Sequence, residues 1–231
     1  MIRHSVLVGE PDVAPAFGGD PYEAAIESGG GVLRLHPVTG GRVASMEVER
    51  WIESDEVDRA LVARTRGPVL DVGCGPGRLV RAAILQGRTA LGVDVSEAAT
   101  RYATSRGLPV LRRSVFSPIP GDGGWGAILL ADGNIGIGGD PRALLRRCAE
   151  LAADDGRIHV ETDADPDADR HYLARLSDAA GRRGPVFPWS QLGARRLIGV
   201  AAEAGLVVEE GWSLGGRSFS VLRRRAAARA A

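Results

Sequence analysis

The chain has 231 residues, of which 44% are hydrophobic and 25% are charged, a balance typical of a folded globular protein. Its 29 basic residues, all of them arginine, are matched by 29 acidic residues, so the formal net charge is zero. This balance argues against a general affinity for nucleic acid, and the lack of lysine excludes Schiff-base and P-loop lysine chemistry.

Cysteine content and hydropathy exclude two further classes of protein. Cys74 and Cys148 stand far apart, and no Cys/His cluster has the spacing of zinc ligands, so we predict no metal site. No apolar run approaches the ~18 residues of a membrane helix, and the first residues lack the apolar core of a signal peptide. We therefore expect a soluble cytoplasmic protein without a membrane partner.

The N-terminal part of the chain gives few structural signals. Residues 1 to about 45 are rich in glycine and proline and are predicted to be irregular, apart from a short helix near Pro21–Ile26. A helix is predicted after Ser54, because acidic residues fill its first turn and apolar residues recur at helical spacing. We expect residues 1–66 to form a cap or lid.

From Pro68 onward, short apolar runs alternate with segments of helical period. This alternation predicts βαβ units and a parallel sheet with helices on both faces. The predicted elements are strands at 69–72, 89–95, 109–114, 125–131 and 157–161, with helices at 78–86, 97–106 and 142–153.

The C-terminal part predicts an antiparallel strand pair. A helix at 192–204 precedes strands at 206–214 and 218–223, and Gly215-Gly216 joins those strands too closely for a parallel crossover. We predict an α/β fold with a Rossmann-like, doubly wound, seven-stranded sheet whose last strand is antiparallel. This domain would span residues 67–225 and leave a frayed tail at 226–231.

The stretch VLDVGCGPGR at residues 69–78 carries the clearest functional signal. A predicted strand enters a glycine-rich turn and leaves into a predicted helix, and the glycines let the backbone approach a ligand closely. Gly77 comes one residue earlier than the third glycine of the GxGxxG dinucleotide fingerprint, whose last position holds Arg78 here. Asp94 ends the second predicted strand, where an acid can accept both hydroxyls of a ribose.

The sequences VLDVGCGPGRL and GVDVS resemble the first two motifs of class I S-adenosylmethionine-dependent methyltransferases. The resemblance implies that S-adenosyl-L-methionine is the cofactor and that Asp71 orders the glycine turn and the cofactor's ammonium end. It also implies that the cofactor lies in the space left by the turn, whose small residues are Gly73, Cys74, Gly75 and Gly77.

The same resemblance assigns the adenosine end of the cofactor. Asp94 would hold the ribose, and Val95 would flank the adenine. Members of the family often carry an acid after the third strand that takes the adenine amino group, and Ser114 stands in its place here. Val115 and Phe116 beside it would pack on the adenine face, or else belong to the core. Ala131, at the end of the fourth strand, is also expected to bind the cofactor.

The loop after the fourth strand, LADGNIGIGGDP at residues 130–141, leaves the sheet edge where the transferred methyl should point. We predict that Asp132 and Asn134 line the active site, and that Asp140 only caps the next helix. Nucleic-acid amino methyltransferases of this fold carry (N/D)PP(Y/F) here, and its absence argues against a base-methylating enzyme. The DGNIG stretch is similar to that of small bacterial methyltransferases, a likeness that implies no substrate.

The remaining candidates for the substrate site are a histidine and several aromatic residues. His171, beside Tyr172 in the insert at 164–190, is predicted as a general base, with a plain surface position as the alternative. Aromatic side chains predicted to line the lid or the pocket, or else simply the core, are Tyr22, Trp51 and Trp189.

Alternating acids follow the fifth strand at Asp163, Asp165, Asp167 and Asp169. The glycine and glutamate that a calcium-binding EF-hand needs at its sixth and twelfth positions are missing, so a solvated loop is predicted. A divalent ion between Asp132 and Glu161 or Asp163 is kept as an alternative to the metal-free site.

The resemblance implies methyl transfer from S-adenosylmethionine to an O, N, C or S nucleophile of a small-molecule acceptor, with S-adenosylhomocysteine as the product. One alternative is a cofactor-binding sensor or scaffold without catalysis. Another is an NAD(P)-dependent oxidoreductase, against which the early third glycine and Arg78 count. The sequence identifies neither the acceptor nor the oligomeric state.

Overall fold

The computed structural model of the chain describes residues 19–41 and 43–225. The expectations for residues 1–18 and for the tail at 226–231 lie outside the described residues. The α-helices are α1 Asp20–Ser28, α2 Glu56–Ala63, α3 Arg78–Leu85, α4 Glu97–Ser105, α5 Pro141–Leu151 and α6 Ala194–Glu203. Short 3-10 helices lie at Val48–Trp51 and Asn134–Gly139.

Eleven strands are found in the described residues, in two sheets. They are β1 Val32–Pro37, β2 Ala44–Glu47, β3 Val69–Val72, β4 Ala90–Asp94, β5 Val110–Arg112, β6 Trp125–Leu130, β7 Ala152–Thr162, β8 Asp169–Ser177, β9 Arg183–Leu192, β10 Leu206–Leu214 and β11 Arg217–Arg224.

The larger sheet has seven strands in the order β10-β11-β7-β6-β3-β4-β5. β11 is antiparallel to both of its neighbours, whereas the pairs from β7 to β5 are parallel. The predicted Rossmann-like sheet with an antiparallel last strand is confirmed. β7 begins at Ala152 rather than at the predicted residue 157, because Ala152 pairs with Trp125 before a register shift.

The centre of this sheet is buried on both faces, as expected for a parallel sheet covered by helices. Every residue of β3 is buried, with Leu70 and Val72 in one hydrophobic cluster and Val69 in the other. The helix of the first cluster, α5, begins as predicted, since the Asp140 carboxylate accepts the Ala143 N–H at 3.0 Å. Because the central strands are parallel, their carboxyl ends all lie at the same edge of the sheet.

The smaller sheet is antiparallel, in the order β2-β1-β8-β9, and corrects one prediction. The chain up to residue 45 is not irregular where it is described, because β1 and the start of β2 lie there. β9 contains Pro185 and Pro188, which it tolerates because it is an edge strand.

The smaller sheet packs on the larger one through a third hydrophobic cluster. Leu33, Leu35 and Phe187 from the smaller sheet meet Ala98 and Ala99 of α4, and α1 lies in the same cluster. The sheet therefore lies beside the carboxyl ends of β3 and β4. Two strands of the smaller sheet precede residue 66 and two follow it. The predicted boundary between lid and domain at residue 66 stays a prediction.

Within the described part of the chain, no helix is both long and apolar enough to cross a membrane.

Candidate active site

A cavity of about 710 Å³ opens at the carboxyl ends of β3, β4, β6 and β7, facing the smaller sheet. This is the place where open α/β sheets bind their ligands, and the volume lies within the range of about 300–1,000 Å³ for small-molecule pockets. Its walls include most of the predicted cofactor-binding residues: Gly73, Cys74, Gly75, Asp94, Val95, Ser114 and Val115.

The glycine turn of residues 73–77 needs its glycines for two reasons. Gly73, Gly75 and Gly77 have φ of 70°, 52° and 88°, a region that side chains disfavour. A Cβ on Gly73 would lie 2.7 Å from Nδ2 of Asn134, and one on Gly77 would lie 2.8 Å from Leu108. Gly73 and Gly75 line the cavity, whereas Gly77 lies behind it and lets α3 pack closely.

Asp94 fixes the rim of the cavity through its carboxylate. Oδ2 accepts the Gly75 N–H at 2.8 Å, and Oδ1 accepts the Ser96 N–H at 2.8 Å. Burial raises the pKa of Asp94, and the backbone N–H bonds oppose that rise. The carboxylate can accept further hydrogen bonds, which is the chemistry that a ribose diol requires.

Asp71 and Ala131 do not line the cavity, although both were predicted to bind the cofactor. Asp71 is only 2% exposed, on the β3 face behind the turn. Burial raises its pKa to about 7, while the charge of Arg78 opposes the rise. Any effect of Asp71 on the cofactor must therefore act through the turn or through electrostatics.

Asn134 lines the cavity and braces the glycine turn. Its Nδ2 donates to the Val72 carbonyl at 2.8 Å and to the Gly73 carbonyl at 3.0 Å. Both carbonyls would otherwise lack a partner where β3 leaves the sheet. The only Asn of the chain thus ties the loop after β6 to the turn after β3.

Asp132 also lines the cavity, in a strained conformation. It has φ of 54° and is the only non-glycine residue with positive φ in the stretches 19–41 and 43–225. Its backbone N–H donates to Oε2 of Glu161 at 2.7 Å, and its carboxylate pairs with Arg78 at 2.7 Å. Such strain persists where surrounding contacts impose it, often at functional sites.

Arg78, Asp132 and Glu161 belong to a network of five hydrogen-bonded charged side chains, completed by Asp58 and Arg217. Asp55 lies at its edge, 3.9 Å from Arg217. Arg78 pairs with Asp58 through Nε at 2.7 Å, and Arg217 pairs with both Asp58 and Glu161 at 2.7–2.8 Å. Burial would raise the pKa of Asp58, but its hydrogen bonds and charge contacts with the two arginines lower it.

Sequence reasoning missed the ion pairs of this network because its members come from five distant elements. Asp132 and Glu161 were considered together only as possible metal ligands, and Asp58 and Arg217 carried no sequence signal.

The predicted adenine side of the cavity is formed by Val95, Ser114 and Val115, with Phe116 beside them. Oγ of Ser114 accepts the Phe116 N–H at 3.3 Å, so its hydroxyl hydrogen is free to donate elsewhere. Phe116 is 47% exposed, a high value for a large apolar side chain at a cavity rim. An aromatic face in that position suits stacking on a flat ring.

His171 lies outside the cavity walls, as its alternative surface position implies, and its role as a catalytic base stays a prediction. Its exposed ring contacts Oγ of Ser190 at 2.8 Å and the Asp169 carboxylate at 3.1 Å. The physical reason is strand alternation: β8 points Tyr172 into the third hydrophobic cluster and turns His171 the other way.

The three predicted aromatic residues, Tyr22, Trp51 and Trp189, do line the cavity. The Tyr22 and Trp51 rings are 5.9 Å apart, and the Tyr22 hydroxyl would be 3.3 Å from a Cβ on Gly75. Burial, followed by the charge of Asp94, raises the pKa of Tyr22 well above its usual value, so the phenol stays protonated. Tyr22 thus places a neutral hydroxyl over the turn.

The acidic groups considered for a metal ion are paired with side-chain cations. Asp163 and Asp165 pair with Arg170, and Asp167 pairs with Arg195. The carboxylates of Asp132 and Glu161 are held by arginines, which leaves the alternative divalent site without support. Over the described ranges, no group of three or more His, Cys, Asp and Glu residues is arranged to hold a metal ion.

Solved structures similar to this chain share its fold. A methyltransferase from Bacteroides fragilis, solved with S-adenosyl-L-homocysteine, has a TM-score of 0.75 and 20% identity, covering 89% of this chain and 94% of its own. The sugar N-methyltransferase KedS8 from Streptoalloteichus has a TM-score of 0.57 and 19% identity, with 96% and 99% covered. The CcbJ methyltransferase from Streptomyces caelestis has a TM-score of 0.57 and 17% identity, with 75% and 91% covered.

A comparison with curated protein sequences gave no match. The chain does match a protein family described as a methyltransferase domain, over residues 48–210, which is well over half of its length. That range contains the glycine turn, Asp94 and the loop after β6. The chain therefore belongs to the class I S-adenosylmethionine-dependent methyltransferase family.

Proposed function

We propose that this protein transfers the methyl group of S-adenosyl-L-methionine to a small-molecule acceptor and releases S-adenosylhomocysteine. The observation that carries the proposal is the single cavity that the glycine turn and Asp94 share with the apolar face of the smaller sheet. One part of this cavity offers the chemistry of a cofactor site, and the other encloses space for a second molecule.

The cofactor would lie along the turn. Its ribose hydroxyls would bind the Asp94 carboxylate, and its adenine would lie between Val95, Val115 and Phe116. The methionine end would follow the backbone of Gly73, which Asn134 holds in place, and of Gly75, which Asp94 holds. The sulfonium then faces the loop after β6, where Asp132 stands.

The acceptor would bind between that loop and the smaller sheet. Leu35, Met46, Trp51 and Trp189 line this part of the cavity, so we expect an acceptor with an apolar or aromatic body. A nucleic acid or a membrane lipid is not expected as a partner, since the chain has no net charge and no base-methylation motif.

The reaction is the attack of an O, N, C or S nucleophile on the sulfonium methyl. The positive sulfur already makes a good leaving group, so the protein's task is to align the two molecules and exclude water. No imidazole lines the described cavity, and we therefore expect either a nucleophile that arrives deprotonated or a proton that leaves through water.

A sensor or scaffold that binds the cofactor without catalysis would need no enclosed space beside the loop after β6. The contact of β9 with the Asn134–Gly139 helix closes that side, as Gly136 approaches the Ser190 carbonyl and the Trp189 ring too closely to carry a Cβ. This closure favours catalysis. Membership of the methyltransferase family argues against the oxidoreductase alternative. A cytoplasmic location is proposed because Cys74 and Cys148 are both free and buried.

Acceptor screening tests the proposal. Purified protein and S-adenosylmethionine are incubated with pools of phenols, amines, thiols and hydroxylated heterocycles, and S-adenosylhomocysteine release is measured by mass spectrometry. We expect acceptor-dependent release with at least one class. Tight binding of the cofactor, without release of S-adenosylhomocysteine for any class of acceptor, would favour the sensor instead. A cavity that large solutes can enter would point the same way, because an acceptor site should be enclosed.

A further inference from the structure

The network of five charged side chains beneath the cavity differs from the other ion pairs of the described chain in its burial. Asp58 and Arg78 are 1% and 5% exposed, whereas most other pairs join exposed side chains. Burying charges is costly unless each is paired, so such a network is weak evidence for stability alone. A role at the site explains its presence better.

We propose, on the basis of the function proposed above, that Arg217 is a positioning residue that holds Asp132 toward the sulfonium of the cofactor. Arg217 comes from the antiparallel strand β11 and does not line the cavity, so it would act on the cofactor only through Asp132. Its Nη2 lies 3.5 Å from Oδ1 of Asp132, and two routes of shorter hydrogen bonds also join the two residues.

The first route from Arg217 to Asp132 runs through Glu161. Nε and Nη2 of Arg217 donate to Oε1 and Oε2 of Glu161 at 2.8 and 2.7 Å, a bidentate pair that fixes the carboxylate. Oε2 of Glu161 then accepts the backbone N–H of Asp132 at 2.7 Å. Arg217 thereby supports the left-handed backbone of Asp132.

The second route runs through Asp58 and Arg78. Nη1 of Arg217 donates to Oδ1 of Asp58 at 2.8 Å, and Asp58 in turn accepts from Nε and Nη2 of Arg78. The same guanidinium of Arg78 holds both carboxylate oxygens of Asp132, at 2.7 and 3.0 Å. Asp132 is therefore fixed at its backbone and at its side chain by one connected network.

The charge of the network gives this fixation a purpose. Asp58, Asp132 and Glu161, with Asp55 at 3.9 Å from Arg217, make four carboxylates that face two guanidiniums, which leaves a surplus of negative charge. Asp55 is 49% exposed but does not line the cavity. The Asp132 side chain is 30% exposed, more than those of Glu161, Arg217, Arg78 and Asp58, at 13%, 12%, 6% and 2%. Asp132 thus presents the surplus charge to the cavity, where it attracts the cationic cofactor more than its neutral product.

The test compares the affinities of S-adenosylmethionine and S-adenosylhomocysteine by calorimetry. The two ligands differ only in the methyl group and the positive charge at sulfur, so the ratio of their dissociation constants reports the field there. We expect Asp132→Asn to lower the preference for S-adenosylmethionine by about three- to tenfold, as removal of one partly screened charge implies.

Arg217→Lys keeps the charge but cannot bridge Glu161 and Asp58 with a rigid fork, and we expect it to lower the preference in the same direction. Arg223→Lys is the matched control, because Arg223 lies on the same strand in an exposed pair with Glu209, and its preference should equal that of the wild type. Glu161→Gln interrupts the first route from the other side and tests it if Arg217→Lys unfolds.

A residue that only supports the fold would weaken both ligands equally. An unchanged ratio in Arg217→Lys or in Asp132→Asn, with tight binding retained, would overturn the positioning role. Failure of the wild type to bind either ligand would instead overturn the proposed function, so the two failures are distinguishable.

Discussion

The brace that Asn134 forms on the glycine turn allows a quantitative prediction. Its amide donates two hydrogen bonds, to the carbonyls of Val72 and Gly73, and each such bond contributes about 0.5–1.5 kcal/mol net. Asn134→Ala should therefore lower the free energy of unfolding by about 1–3 kcal/mol. It should also weaken the binding of S-adenosylhomocysteine, because Gly73 lines the cavity.

Asn134→Asp, which keeps the size of the side chain, is expected to lower the free energy of unfolding more than Asn134→Ala. In Asn134→Asp a carboxylate would face the two carbonyl oxygens without a proton to donate, so like partial charges would meet at 2.8 and 3.0 Å. The introduced carboxyl must be protonated to restore one bond, which raises its pKa in the folded state. The stability of this variant should therefore fall as pH rises from 5 to 8.

Urea unfolding at pH 5 and pH 8, with calorimetric titration of S-adenosylhomocysteine, measures both effects. Gln86→Glu is the matched control, because Gln86 donates to the Arg59 carbonyl at an exposed position, and its change should stay within about 0.5 kcal/mol. Stability of Asn134→Asp equal to that of the wild type at pH 8 would refute the brace.

The remaining predictions concern two buried titratable groups and one glycine. Burial lowers the pKa of His159 to about 4, so about 3 kcal/mol of stability is present above pH 6.5 and is lost as pH falls toward 4. His159→Leu should remove this pH dependence of the free energy of unfolding in urea, and an unchanged dependence would contradict the prediction. Burial raises the pKa of Asp71 to about 7, so about 4 kcal/mol of stability is present below pH 4 and is lost as pH rises through 7. Asp71→Asn should flatten this loss of stability with pH, whereas an unchanged or steeper loss would count against the prediction. Gly73→Ala should destabilise more than Gly87→Ala in thermal unfolding, because both have positive φ but only the first adds a clash at 2.7 Å; equal losses would show that the turn adapts.

The sequence predicted the larger sheet well because its signals are local. The alternation of apolar runs with helical periods and the glycine pair after β10 are each read within a short window. The glycine turn and Asp94 are equally local, since both stand at strand ends whose edge the topology fixes. The glycine turn and Asp94 meet at one cavity because β3 and β4 are parallel and end at the same edge of the sheet.

The smaller sheet and the charged network could not be predicted in the same way. β9 carries Pro185 and Pro188, whose cost depends on whether the strand is an edge, and only the assembled sheet decides that. The side that His171 faces could not be predicted for the same reason, because it is undefined until the strand is known. Arg217 lies 159 positions from Asp58, and no spacing rule connects them.

The central claim is that the cavity binds S-adenosylmethionine through Asp94. The most direct measurement is calorimetric titration of S-adenosylmethionine into the wild type, Asp94→Ala and the control Asp154→Ala, whose carboxylate is fully exposed in a surface pair with Arg224. Loss of two charge-assisted hydrogen bonds to the ribose predicts an affinity about 100-fold lower or weaker still for Asp94→Ala. Wild-type affinity should persist in Asp154→Ala. Equal binding by Asp94→Ala and the wild type, or no binding by either, would contradict the placement of the cofactor.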